Sequence, residues 1–187
     1  LVSASPLGRF EPVVNGPVTP LEWHCLDGTL FVDEKQQPWI VFCHEWVEVH
    51  DGSICAMPLS KELAAAVGEA AVLFRASAAA WTQPRPRRDG SGIVDARVTD
   101  GPFLHRSGNG TLLMLWSSVG ATGYVMGYAS SESGSINGPW LQSAKPLIGA
   151  DGGHGMIFRS FEGRLYIAYH SPNTTPNERF RYAEVAE

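Results

Sequence analysis

The sequence predicts an all-β fold, a partial β-propeller of about three blades, and three observations carry that expectation. Three segments share one layout: LDGTLFVDEKQQPWIVFCHEW from Leu26, TDGPFLHRSGNGTLLMLWSS from Thr99 and DGGHGMIFRSFEGRLYIAYHS from Asp151. Each opens on Asp-Gly, enters a short apolar strand, turns through polar residues and leaves by a second apolar strand, which is a hairpin repeated. The exit strands PWIVFC, TLLMLWSS and RLYIAYHS are apolar almost without alternation, as strands buried on both faces are. The units recur at a spacing of about 50 residues, stretched between the first and second by a long loop at 75–97, which suits four-stranded blades packed face to face around a channel.

Taken in order, residues 1–20 read as the edge of a blade and residues 21–80 as a first full blade. Within it, KELAAAVGE offers one short helix between strands. Residues 75–97 are rich in Pro, Arg, Gly and Ala and read as a long inter-blade loop, with Trp81 and Arg85 to Arg88 at the rim of a site. Residues 98–147 and 148–187 complete two more blades, and the whole chain of 187 residues reads as a single incomplete domain. The order of small turn residues from Ser3 is similar to that from Ser133, as expected of the outer part of a repeated blade.

Composition narrows the function. The formal net charge is −5, and the one basic cluster, RPRR at 85–88, is too short for a phosphate-binding stripe, so no nucleic-acid partner is expected. The cysteines Cys25, Cys43 and Cys55 lack CxxC spacing and read as reduced core residues. No apolar run reaches membrane-spanning length and no signal pattern opens the chain, so it reads as soluble, with no membrane partner and a cytoplasmic location slightly favoured. The sequons at Asn109 and Asn173 read as turns.

The inner strand of a propeller blade runs along the channel, so a polar residue at its entrance faces the axis. Asp27, Asp100 and the Asp151/His154 pair stand at such entrances and are expected to converge. Crowded carboxylates repel, so one of them holds its proton beside another that does not, as glycoside hydrolysis requires. Asp33, Asp51 and Asp89 read as turn formers only. His154 lies between glycines and is a candidate metal or substrate ligand, while Glu45 and His170 end exit strands and are candidate substrate contacts. Trp46 and Trp116 are candidates for stacking on a sugar face.

These motifs, in this order, resemble glycoside hydrolase family 43, the five-bladed propeller enzymes that act on arabinose- and xylose-containing polysaccharides. The similarity runs through nearly all of the chain and covers about the C-terminal three-fifths of the family domain. The resemblance implies inverting hydrolysis by a base, an acid and an Asp that tunes the acid. It assigns Asp27 to the tuning role, Asp100 to the acid and His154 to a place near the axis beside a calcium ion. Two departures stand out. The family's acid is Glu, one methylene longer than Asp100, and the family's base lies N-terminal to everything here, where residues 1–20 offer only Glu11.

The leading expectation is therefore a hydrolase of arabinofuranosyl or xylosyl linkages, with Glu45, Asp151 or a group from a neighbouring chain as candidates for activating water. The alternative is a non-catalytic carbohydrate-binding propeller fragment that has lost the base. WD and kelch signatures of interaction propellers are absent. A partial ring leaves open blade faces, so a homodimer or higher homo-oligomer is expected.

Overall fold

The structure, a computed structural model, describes residues 1–85, 91–92 and 94–185. Three antiparallel sheets follow one another along the chain, and hardly any helix accompanies them. The first holds β1 (Cys25–Val32), β2 (Pro38–His44), β3 (Ser53–Pro58) and β4 (Ala71–Arg75) in sequence order. The second holds β5 (Asp100–Arg106), β6 (Leu112–Gly120), β7 (Gly123–Ser131) and the two-residue β8 (Leu141–Gln142). The third holds β9 (Gly153–Arg159), β10 (Leu165–His170) and β11 (Phe180–Glu184), with β10 central. This is the partial propeller the sequence predicts.

The first strands β1, β5 and β9 lie side by side across the sheets, β5 packing against both of the others, and so surround the axis. The second strands fill the space between sheets. In β2 the run Val41 to Cys43 is fully buried, and in β6 Leu112, Met114 and Trp116 are as well. A Val, Ile, Leu and aromatic run with no polar side to offer water is stable only between two layers, which explains the missing alternation. The core between the first two sheets joins Val41, Ile54, Phe74, Trp81, Met114 and Trp116.

Four local expectations need correction. Residues 1–24 form no blade-edge strand: they run irregularly, joined once by a bridge between Val2 and Glu11. KELAAAVGE is not helical, because the Ser60 hydroxyl and backbone take up the Ala64 amide and Ala65 carbonyl and close a turn bridged by Leu59 and Ala66. So short a segment recovers too little from helical hydrogen bonds to outweigh its nucleation. The α-helix is instead a single turn, α1 (Trp46–Val49). Trp81 does not sit on a rim: it is 7% exposed and packs on Trp116 with ring centroids 4.6 Å apart. The surrounding loop is anchored as well, through the Arg97 guanidinium to the Thr82 carbonyl oxygen and a bridge between Asp51 and Arg97. Of the basic cluster only Arg85 is described; Pro86, Arg87 and Arg88 lie outside the described residues.

Candidate active site

Each first strand carries the same irregularity near its entrance. In β1 the pairing jumps from Leu26↔Cys43 to Thr29↔Val41, leaving Asp27 and Gly28 opposite one residue. In β5 it jumps from Asp100↔Ser117 to Phe103↔Leu115, across Gly101 and Pro102. In β9 it jumps from Gly153↔His170 to Met156↔Ala168, across His154 and Gly155. The first bulged residue is left-handed every time, with φ of 56° at Asp27, 54° at Gly101 and 51° at His154. Such bulges bend a strand and re-aim a side chain, and a left-handed backbone at a non-glycine residue is costly enough to mark a site. The equivalent residues are therefore Asp27, Gly101 and His154, and Asp100 stands one position before its bulge.

The three bulges meet. The Gly101 amide donates to Asp27 Oδ2 at 3.0 Å, and His154 Nε2 lies 3.8 Å from Asp27 Oδ1. A Cβ on Gly101 would come within 2.8 Å of the His154 ring, so the middle bulge has room only for glycine. The His154 backbone is tied to the second sheet, its amide donating to Ser117 Oγ at 2.8 Å. The Tyr124 hydroxyl on β7 donates to Asp100 Oδ2 at 2.8 Å, and the His170 ring stacks on Tyr124 at 5.7 Å. Asp27, Asp100, His154, Tyr124 and His170 thus form one cluster drawn from all three sheets.

Burial pushes the Asp100 carboxyl above its ordinary range. Asp27 adds to that shift, while the Tyr124 hydrogen bond, His154 and Arg85 oppose it. Tyr124 is itself pushed up, by burial and by the Asp100 charge. Beneath the aspartates the buried Cys43 thiol is also raised, burial again leading. Glu45, at the exit of β2, is raised first by burial and then by Asp100 and Asp27, with His24 and Arg85 opposing. The site is a half-dry pocket in which negative charge is disfavoured and protons are retained.

The remaining candidates separate. Trp116 is 0% exposed, wedged against Phe74 and Trp81 with its indole N–H on Gln142, so it has no face for a sugar and belongs to the core. Trp46 carries the Arg85 guanidinium 4.8 Å above its ring, which puts a cation where a sugar would stack. His170 Nε2 is engaged with Asn173 Oδ1 at 2.8 Å. Asp151 precedes β9, its carboxylate near Gly123, and Glu11 pairs with Arg9 on the surface at 3.7 Å. Sequence reasoning passed over Tyr124 and Ser117, whose hydroxyls brace Asp100 and His154; Ser117 alone carries a signal, as the polar residue opposite the Asp100 entrance.

For a calcium ion the fit is poor. Calcium takes six to eight oxygen ligands, yet beside His154 stands the single carboxylate of Asp27, and among the described residues no group of three His, Cys, Asp or Glu side chains converges on a metal position. Among the described residues the nearest charged partner of His154 is the Asp27 carboxylate.

An all-β partial propeller with acidic and imidazole groups gathered at its axis is the general class. The chain belongs to the glycosyl hydrolases family 43, whose profile it matches over residues 1–184. Among solved structures it is similar to an endo-arabinase from Bacteroides thetaiotaomicron VPI-5482, with 43% identity, a TM-score of 0.92 and coverage of 99% of this chain and 64% of that one. A thermostable family-43 glycoside hydrolase shares the fold at 23% identity and TM-score 0.77, covering 99% of this chain and 62% of its own. An endo-1,4-beta-xylanase from Bacteroides thetaiotaomicron VPI-5482 does so at 21% identity and TM-score 0.73, covering 98% and 62%. A comparison with curated proteins finds no match. The chain thus spans less than two-thirds of the length of each of these relatives.

Proposed function

We propose that this chain carries the acid half of a glycoside hydrolase that cleaves arabinofuranosyl or xylosyl linkages in hemicellulose with inversion, Asp100 serving as the acid and Asp27 as the residue that tunes it. The observation that carries the reading is the bulge junction, where Asp27 accepts from the amide next to Asp100 while the half-buried Asp100 carboxyl is raised. A carboxyl whose hold on its proton is raised can give that proton to a departing glycosidic oxygen, and a neighbouring carboxylate strengthens the hold beforehand. The Gly101 amide holds that carboxylate, and His154 lies 3.8 Å from its other oxygen. The likeness to an endo-arabinase makes arabinan the first polymer to test.

The test is turnover of debranched arabinan and of aryl arabinofuranosides and xylosides. Asp27→Ala and Asp100→Asn are each expected to lose about 10²- to 10⁴-fold in kcat/KM on aryl substrates with poor leaving groups. Full activity in Asp100→Asn would remove its acid role. The second reading, a carbohydrate-binding fragment without turnover, is favoured by the exposed positions of Glu11 and Glu22, the acidic residues that precede β1. It predicts calorimetric binding of arabino- or xylo-oligosaccharides by a chain that hydrolyses none of them.

A further inference from the structure

Asp100 is held from one side by a row of hydroxyls that has no role in that reading. The pairing register puts Asp100 opposite Ser117 and Ser117 opposite Met126, and Tyr124 lies two residues from Met126 on β7. Side chains two apart on a strand point the same way, so Asp100, Ser117 and Tyr124 share the face of the second sheet that meets β9. On that face the His154 amide donates to Ser117 Oγ at 2.8 Å, the Ser117 hydroxyl bonds the Tyr124 oxygen, and the Tyr124 hydroxyl donates to Asp100 Oδ2 at 2.8 Å. A backbone amide can only donate, so it fixes the sense of the row, and each hydroxyl proton points toward Asp100.

The Tyr124 ring has no freedom to turn away. It is 8% exposed, the His170 ring stacks on it 19° from parallel, and Gly153 passes so close that a Cβ there would stand 2.8 Å from Tyr124 Cε1 and 2.7 Å from Ser117 Oγ. Its backbone is tied to the start of the third sheet, the Gly152 amide donating to the Tyr124 carbonyl oxygen at 2.9 Å. This decides which oxygen of Asp100 can be acidic. Oδ2 accepts from a phenol that burial and the Asp100 charge keep protonated, so the carboxyl proton is left to Oδ1. When that proton departs, a hydrogen bond to a neutral carboxyl becomes one to a carboxylate, which is roughly twice as strong.

We propose that Tyr124 is a positioning residue of this site: it fixes the acid proton on Asp100 Oδ1 and steadies the carboxylate that forms as the glycosidic oxygen takes that proton. The proposal rests on the reading of Asp100 as the acid and deepens it. As the bond between the anomeric carbon and the glycosidic oxygen breaks, the electron pair goes to oxygen and the Asp100 proton follows it. The water that attacks the anomeric carbon gives up one proton, so solvent returns one to Asp100 with no net change. Burial raises the proton affinity of Asp100, Tyr124 opposes it most, Asp27 of β1 adds to it, and His154 of β9 and Arg85 oppose it less. The Cys43 thiol and Glu45, at and just past the end of β2, respond to the Asp100 charge, and His170 of β10, stacked on Tyr124, has its Nε2 engaged with Asn173. Removing the Tyr124 hydroxyl therefore moves Asp100 further up.

The experiment compares Tyr124→Phe, which keeps a ring against His170, with the unaltered chain on phenyl and 2,4-dinitrophenyl arabinofuranosides. The dinitrophenyl group leaves without a proton. For Tyr124→Phe, kcat on the phenyl substrate should fall about 10- to 100-fold with KM nearly unchanged, and the loss on the dinitrophenyl substrate should stay within about threefold. The alkaline limb of the pH profile should move to higher pH, since the acid holds its proton longer. Equal loss on both substrates, or an alkaline limb that stays in place, overturns the proposal. A carbon-13 titration supplies a readout independent of turnover: the Asp100 carboxyl should take up its proton at higher pH in Tyr124→Phe, and in the unaltered chain the Tyr124 Cζ signal should step with Asp100. If Tyr124→Phe does not fold, that last signal still decides, because a Tyr124 ring blind to the Asp100 titration overturns the proposal. An unaltered chain that hydrolyses neither glycoside, or full activity in Asp100→Asn, sinks the acid reading and this role with it. An active chain that needs Asp100 but whose alkaline limb ignores Tyr124→Phe sinks this role alone.

Discussion

Asp100 is held in conflict with its own charge. Its folded carboxyl binds a proton more tightly than in an unfolded chain. The folded state therefore holds more protons than the unfolded one between the ordinary carboxylate range and the raised value, and stability falls as pH rises through that window. Asp100→Asn keeps an acceptor for the Tyr124 hydroxyl and removes the buried charge. Its Tm should exceed that of the unaltered chain above the raised range and the difference should shrink as pH falls through it; thermal unfolding across a pH series checks this. A gain confined to low pH would mean the site does not resist charge at Asp100. That Asp27, Asp100 and His154 belong together was legible in the sequence, because each opens a repeated hairpin. That Asp27 matches Gly101 and not Asp100 was not legible, since two Asp-Gly pairs look alike until strand pairing shows where each bulge begins.

At the scale of the element, the repeated bulge is the device that turns strands into a site. Without it, alternation would send Asp27 and His154 to a sheet face, and the pairing partners would shift across the core. Gly101 is its tightest point. Gly101→Ala puts a Cβ into a backbone at φ 54° and within 2.8 Å of the His154 ring. It should cost about 1 to 3 kcal/mol in urea unfolding and lower activity more than Gly163→Ala in the β9–β10 turn, where φ is also positive but nothing lies within reach of a Cβ. Equal effects of the two would show that strain alone, not the contact with His154, decides the outcome. The misplacement of Trp116 belongs to this scale as well. Its exit strand could be recognised as buried, but whether a tryptophan there faces the neighbouring sheet or the axis depends on a register set by residues far along the chain.

At the scale of the whole molecule, the surface is larger than the mass warrants. A compact monomer of 20.3 kDa exposes about 8,800 Å², against 10808 Å² here. Part of the difference is the outer sheet, where Met156, Phe158, Phe180 and Tyr182 are exposed around the ladder of Phe158, Tyr166 and Tyr182 rings. Apolar faces of this kind are normally covered. Size-exclusion chromatography with light scattering should return the mass of a dimer or larger assembly, and Phe180→Lys with Tyr182→Lys should shift it toward the monomer. A stable monomer at millimolar concentration would count against self-association.

What the sequence determined by itself was the strand and turn pattern, the threefold repeat and the acidic entrances, because these follow from the alternation of backbone and side-chain preferences over a few residues. Tertiary structure alone decided which residues stand at equivalent bulges and that Trp81 and Trp116 are core. Those outcomes rest on contacts between segments far apart in the chain, 74 positions for Asp27 with Gly101 and more for Asp27 with His154, and local preference carries no information about contacts at that range.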